Sequence, residues 1–256
     1  MRVIFIDYSV FMFRAIFATY KNTESQIPPT YTSMAMIIAC LKVLKVTSED
    51  KIIFAIDGRN NWRKEIDTEY KGDRKGKRDK FEIDWNYLFS EYDKLKENIA
   101  YNTPYKVIEV DRMEADDVIA VGCRYYKDNE VIIVSSDSDF EQLACFENVK
   151  VFSPVSKKFK VIKNPYKILA KKIDMERTDN LLSPVLTEED YNKRKMIVDL
   201  TTLPDFVEDA CKKALDKSEG YDTIFNYERL KFRSLHKRLI ELYNKPKVIK
   251  NQTELI

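Results

Sequence analysis

Short runs of Val, Ile and Phe recur along the chain and constrain it more than any other feature. They are VIFID at 3–7, KIIFAID at 51–57, YKVIEV at 105–110, EVIIVSSD at 130–137 and VKVFSP at 149–154. A strand with one wet face alternates apolar and polar residues. Unbroken apolar runs instead belong to strands covered on both faces, as in a parallel sheet. TYTSMAMIIACLKVLK (30–45) and EADDVIAVGCRYYKD (114–128) fall between the runs and carry helical spacing. Strand alternating with helix predicts an α/β fold, a mostly parallel sheet flanked by helices. At 256 residues, with 44% hydrophobic residues, the chain can bury one large core or a core domain with a smaller lobe.

Three of these runs close on an aspartate: Asp7, Asp57 and Asp137. In a parallel sheet their ends share one edge, and ligands bind outside the carboxyl ends of such strands. Two acidic clusters reinforce that edge. Glu114, Asp116 and Asp117 open a helix after a fourth strand, and Asp139 follows Asp137. A lone aspartate at a strand end is usually a turn former or cap. Three of them with an acidic helix start point to a site. Glu114 and Asp117 are one helical turn apart and share a face. Asp116 joins Glu114 only if the pair straddles the helix start.

Residues 58–90 interrupt the alternation. This excursion holds Gly58, Gly72 and Gly76, three of the five glycines, and nine Lys or Arg lie between Arg59 and Lys80. Trp62, Tyr70 and Phe81 are interleaved among them. Basic and aromatic residues beside an acidic edge read as a nucleic-acid grip, with Trp62, Arg63, Lys64, Tyr70, Lys71, Arg74 and Lys75 as candidates. A charge run alone would read as a solvated loop. The formal net charge of +2 shows that any basic surface must be local.

From about residue 164 the pattern becomes helical. LTEEDYNKRKMIVDL starts with a capping box from Thr187 to Asp190, Pro204 stands near another helix start, and FNYERLKFRSLHKRLIELYN reads as one longer amphipathic helix. The expected organisation is a catalytic domain over 1–165, with the excursion at about 58–95, a helical C-terminal lobe over 166–245 and a loose tail over 246–256. No run of apolar residues is long enough to cross a membrane, and the N-terminal run lacks the features of a secretory signal. A cytoplasmic, monomeric protein is expected, in the host cytoplasm if the chain is viral. Cys40, Cys123, Cys145 and Cys211 make no metal-binding spacing and read as reduced core thiols. The single histidine, His236, argues against histidine-based zinc sites and Ser-His-Asp chemistry.

Carboxylates and oxygen-loving metals remain. Asp7, Asp57, Glu114, Asp116, Asp117, Asp137 and Asp139 could not all ionise together without cations, and their number suits two Mg²⁺ ions, for which Mn²⁺ can substitute. A pair of such ions is the arrangement of phosphodiester hydrolysis.

These motifs resemble the flap endonuclease and 5′-nuclease family, most closely its tailed-phage ribonuclease H branch. FIDYSVFMFRAIFA is similar to the family's first strand and helix, with Asp7 and Arg14 in place. FAIDG carries Asp57, YKGDRK (70–75) resembles the Tyr-Lys-x-x-Arg signature, and EADDVIA and SSDSDF look like the two acidic motifs. The likeness covers residues 1–165 and returns at LTEEDYNKRKMIVDLTTLP. It implies a PIN-like sheet domain with a helical arch. It also implies Mg²⁺-dependent 5′-to-3′ exonuclease and flap endonuclease activity with ribonuclease H-type cleavage. DNA and RNA–DNA hybrids with 5′ ends or flaps would be the substrates, and primer removal during replication the task. Lys71 and Arg74 would contact the scissile phosphate, beside Asp7 and Asp57.

One stretch departs from the family. Gly-Asp-x-x-Asp-Asn-x-x-Gly ordinarily opens a duplex-gripping helix-hairpin-helix. MERTDNLLS (175–183) stands there instead, with Asp179 matching the second metal-binding aspartate, Glu176 replacing the first, and both glycines absent. The hairpin reads as deleted, and a single-strand-binding protein or sliding clamp is the partner expected to supply the lost grip. A catalytically weak nucleic-acid-binding protein is the competing reading. A pure binder, however, gains nothing from carboxylates that repel phosphates. A Mg²⁺-dependent phosphatase or receiver-like phosphoacceptor would also use strand-end aspartates, but it leaves the basic aromatic excursion unexplained.

Overall fold

A computed structural model describes residues 1–20, 27–174, 187–219, 225–226 and 228–243. Among them a six-stranded sheet forms the middle layer. In chain order its strands are β1 (Arg2–Asp7), β2 (Lys51–Ile56), β3 (Lys106–Glu109), β4 (Glu130–Val134), β5 (Val149–Ser153) and β6 (Lys158–Phe159). They lie side by side as β3-β2-β1-β4-β5-β6, all parallel except the short antiparallel β6. The apolar runs read from the sequence are the five parallel strands.

Alternate residues of each strand feed two cores. Ile4, Ile6, Ile52, Phe54, Ile132 and Val134 face one layer of helices, α1 (Tyr8–Tyr20), α2 (Pro29–Val43) and α5 (Trp85–Asn102). Val3, Phe5, Ile53, Ala55, Val131 and Ile133 face the other layer, dominated by α6 (Ala115–Tyr125). Parallel crossovers are right-handed. The β1-to-β2 and β2-to-β3 connections move one way across the sheet and put their helices on one face. The β3-to-β4 connection moves back and puts α6 on the other. The reversal falls between β1 and β4, where an open α/β sheet has its crevice.

Two short helices, α3 (Arg63–Ile66) and α4 (Arg74–Arg78), punctuate the excursion after β2. Beyond β6 come α7 (Pro165–Asp174), α8 (Glu188–Val198), α9 (Asp205–Glu219) and α10 (Arg233–Tyr243). The capping box expected at Thr187 and Asp190 is present at the start of α8. The long helix expected over 225–244 is shorter, because α10 starts only at Arg233 and Phe225 and Leu230 pack into the core from non-helical backbone. The segment expected as a helical C-terminal lobe contributes to both layers: Val207, Cys211 and Leu215 of α9 join the α6 core, and Leu239 and Ile240 of α10 join the α2 core.

Two glycines permit close approaches. A Cβ on Gly122 of α6 would stand 2.2 Å from the Phe5 ring, and one on Gly58 would stand 1.9 Å from the Val110 carbonyl oxygen. Gly58 thereby lets the loop after β2 bond to the loop before α6, through its N–H to the Met113 carbonyl at 2.8 Å. No disulfide joins the cysteines: Cys40, Cys123 and Cys211 are buried thiols and Cys145 is half-buried. Among the described residues no helix is long and apolar enough to cross a membrane.

Candidate active site at the sheet edge

Asp7 ends β1 and is buried. Ser135, just past β4, donates from Oγ to its Oδ2 at 2.8 Å, and Ser9 Oγ donates to its Oδ1 at 3.1 Å. The Ser135 bond spans the crevice between β1 and β4. Asp57 lies one residue beyond β2, open to solvent, and its Oδ1 accepts the Ala115 N–H at 2.9 Å, one of the free amides that open α6.

The acidic motif before α6 divides at the helix start. Glu114 is the N-cap and Ala115 the first helical residue, so Glu114 and Asp116 do straddle the boundary. Asp116 is half-buried at the edge. Glu114 Oε1 takes the Lys71 ammonium at 2.7 Å, and its Oε2 takes the Tyr70 hydroxyl at 3.0 Å and Arg63 Nη1 at 3.0 Å. The Lys71 backbone lies in the left-handed region at φ 55°, which costs free energy for a side chain with a Cβ, so the fold holds this lysine in place against strain.

These carboxylates sense one another. Burial pushes Asp7 up to about 7, with the charges of Asp57 and Asp137 adding to the effect. Burial raises Asp116 well above the usual range, helped by Glu114, Asp7 and Asp57. Asp57 is raised by restricted solvation and by Glu114, an effect softened by its opening to water. Burial also disfavours the Glu114 carboxylate, but the neighbouring Lys71 and Arg63 overcome it and hold Glu114 below its ordinary value. Excess negative charge made of oxygen donors fits a hard divalent cation in type and in charge. Among the described residues, however, no three acidic, histidine or cysteine side chains are already grouped closely enough to hold an ion.

Asp117 does not belong to this set. It is fully buried, its Oδ1 accepts Arg63 Nη2 at 2.7 Å, and its Oδ2 accepts Arg63 Nη1 at 2.9 Å, Trp62 Nε1 at 3.0 Å and the Glu114 N–H at 2.9 Å. With both oxygens occupied in the core, the expectation of Asp117 as a metal ligand is corrected. The same network corrects three expected nucleic-acid contacts. Trp62, Arg63 and Tyr70 are 1%, 1% and 3% exposed, so none presents a surface to a polynucleotide. Arg63 also donates from Nε to the Ile197 carbonyl at 2.8 Å, tying α3 to the end of α8.

Asp137 is exposed, and its Oδ1 accepts the Asp139 N–H at 2.9 Å, which shapes the 3₁₀ turn Asp139–Cys145. Asp139 pairs with Lys172 of α7, and Lys160 reaches the Asp137 carbonyl at 3.3 Å and Glu141 at 2.7 Å. The positions of Ser135, Lys160 and Lys172 were not expected as parts of the site. Ser135 lies within the SSDSD motif and was open to notice, whereas the lysines arrive from distant elements with no local signal. Arg14, Lys64 and Arg74 are exposed on α1, α3 and α4. The Lys75 side chain, Asp179 and the tail over 246–256 lie outside the described residues.

Residues 2–173 match the family described as 5′-3′ exonuclease, N-terminal resolvase-like domain. Over 128 residues the chain is 34% identical to ribonuclease H of Enterobacteria phage T4, a match covering 48% of this chain and 42% of that protein. Over 172 residues it is 28% identical to DNA polymerase I of Caldicellulosiruptor bescii, covering 66% of this chain and 19% of the polymerase. The matched stretch therefore spans less than half of either relative. The fold is similar to that of the bacteriophage T5 D15 flap endonuclease in a complex with DNA and metal ions, with a TM-score of 0.62 at 17% identity, over 86% of this chain and 100% of that one.

Proposed function

Because the chain belongs to the 5′-3′ exonuclease family, whose resolvase-like domain takes in residues 2–173, we propose that it is a metal-dependent 5′-nuclease. It hydrolyses phosphodiesters near the 5′ ends of DNA flaps and of RNA in RNA–DNA hybrids, and its task is the removal of primers during replication. The observation that carries this reading is the meeting of Asp7, Asp57, Glu114 and Asp116 at the carboxyl edge of the sheet, with the Lys71 ammonium against Glu114.

The chemistry supplied by two divalent ions, Mg²⁺ or Mn²⁺, is activation of water and stabilisation of the leaving oxygen. Asp7, Asp57, Glu114 and Asp116 would hold them, with Asp137, Asp139 and Asp179 as further donors. Ser135 and Ser9 orient Asp7, and the opening amide of α6 orients Asp57. Lys71 and Arg74 neutralise the scissile phosphate. Lys71, now on Glu114, would pair with the scissile phosphate, where its charge would count most as negative charge builds in the transition state. Arg14, Lys64 and Lys75 supply salt-sensitive contacts to the backbone. The protein acts as a monomer in the cytoplasm, and a single-strand-binding protein or sliding clamp supplies duplex affinity.

The test is incubation of 5′-labelled flap, nicked and hybrid duplexes with Mg²⁺ or with excess chelator, using the wild type and Asp57→Asn. Short 5′ products are expected only with the wild type in Mg²⁺. Undiminished cleavage in chelator, or full activity in Asp57→Asn, overturns the reading.

A further inference from the structure

After β5 the chain turns back and runs as β6 along the outer side of the sheet, where it is the last strand. The Lys160 N–H bonds inward to the Val151 carbonyl at 2.8 Å. Successive amides of a strand point to opposite sides, so the Phe159 amide points away from the sheet. Among the described residues no strand pairs with it. Side chains alternate between the faces as well. Ile162 packs on the α6 core, whereas the Phe159 ring leans on Phe152 of the other core, at 5.4 Å between ring centres. Phe159 and Val161 are two residues apart on that side, and neither is covered: they are 46% and 88% exposed. An open edge with apolar side chains is where a further strand pairs.

The charge of this edge has one sign. VSKKFKVIKNPYKILAKK, residues 155–172, holds seven lysines and no acidic residue, in a chain whose net charge is only +2. Lys160 and Lys172 are engaged with Glu141 and Asp139. Lys157, Lys158, Lys163 and Lys167 are exposed and make no ion pair among the described residues. Lysine on an edge strand ordinarily guards against edge-to-edge pairing, and a second copy of this chain would bring the same lysines against these. Towards an acidic strand the same charges turn from guard to attraction.

We propose that the β6 edge is a docking site for an extended acidic segment of a partner protein, which adds to the sheet as a further strand beside Phe159. The pattern it takes follows from the alternation. Two apolar side chains two residues apart cover Phe159 and Val161, and carboxylates around them meet Lys157, Lys158 and Lys163. Backbone hydrogen bonds supply affinity, while the lysines and the apolar pair choose the partner. A polynucleotide would use the lysines but neither the outward amide nor the apolar pair, so the edge matches a peptide better. None of Asp7, Asp57, Glu114 and Asp116 takes part, and the inference does not depend on the 5′-nuclease reading.

The probe is the fluorescein-labelled peptide Asp-Glu-Val-Glu-Ile-Glu-Asp, titrated with the full chain and read by anisotropy. Two controls keep its charge. Asp-Val-Glu-Glu-Glu-Ile-Asp moves the apolar residues to the other face and apart. The original sequence N-methylated at every interior residue cannot donate backbone hydrogen bonds along either side. The alternating peptide is expected to bind about tenfold more tightly than either control. Val161→Glu, folded by circular dichroism, lowers that affinity about tenfold, because a carboxylate replaces an apolar contact and repels the peptide. Equal binding of the peptide and its two controls, or full affinity in Val161→Glu, overturns the proposal. So does displacement of the peptide by plain duplex DNA when Lys158→Glu with Lys163→Glu weakens both ligands alike, which would assign the surface to nucleic acid. A dimer in light scattering that Val161→Glu dissolves would assign the edge to a second copy and overturn it equally.

Discussion

Arg63 carries more of the structure than its place in a basic run suggests. Its guanidinium is buried, lies 4.5 Å from the Trp62 ring centre, and shares four oxygens among Asp117, Glu114 and the Ile197 carbonyl. A buried ion pair of this kind can be replaced by apolar residues at little cost, but removing one partner strands the other charge. Arg63→Met is therefore expected to lower unfolding free energy by about 3–5 kcal/mol. The double variant Arg63→Met with Asp117→Leu should recover much of that loss. Urea denaturation of the single and double variants checks this, and a single-variant loss below about 1 kcal/mol would sink the account. Lys71 differs from Arg63 in kind, since it is half-buried and its ammonium, at 2.7 Å from Glu114 Oε1, lies at the edge of the sheet where the phosphate is proposed to bind.

At the scale of elements, α10 shows how a helix far from the sheet edge is anchored. His236 is buried beside Tyr105 and Phe225, at ring separations of 6.3 Å and 6.2 Å, and its Nδ1 lies 3.3 Å from the Phe232 carbonyl. Burial lowers its pKa, and Lys42 of α2 adds to that, while the Phe232 carbonyl works the other way. The folded protein thus keeps the ring neutral where the unfolded chain would protonate it. The unfolded state binds more protons below the usual histidine range, so stability falls as pH drops through about 6.5. His236→Leu should flatten that part of the profile. Melting temperatures of the two proteins between about pH 5 and pH 7.5 test it, and an unchanged slope would show that the histidine is not the titrating group.

Across the whole molecule the acidic edge has the opposite sign. Asp7, Asp57 and Asp116 all have raised pKa values, Asp7 to about 7, so the folded state keeps protons that the unfolded chain has released. Stability of the metal-free protein is expected to fall as pH rises from about 4 to 7, a loss on the order of 2 kcal/mol or about 5 °C in melting temperature. A divalent cation that binds only the folded state offsets this by mass action. Millimolar Mg²⁺ should therefore raise the melting temperature more at pH 8 than at pH 5.5. A Mg²⁺ effect that is absent at both pH values would count against a metal site made of these carboxylates. Differential scanning fluorimetry in His236→Leu keeps the two titrations apart.

The sequence by itself determined what depends on neighbouring residues. Apolar runs with intervening helical spacing are local patterns, and they specified a parallel sheet whose carboxyl edge gathers Asp7, Asp57 and the start of α6. The Thr187 capping box was readable for the same reason. Tertiary structure decided which members of each cluster face which way. Asp116 and Asp117 are adjacent, yet one lies at the open edge and the other in the core, because the helix begins at Ala115 and turns successive side chains by about 100°. Trp62, Arg63 and Tyr70 looked like a nucleic-acid grip because nothing near them announces the buried carboxylates they bind. Asp117 lies 54 positions from Arg63, and only the packing of α3 on α6 pairs them. Phe81, read with them, meets its partner in the same way: its ring lies 5.0 Å from that of Phe17 only once α1 and the approach to α5 have docked.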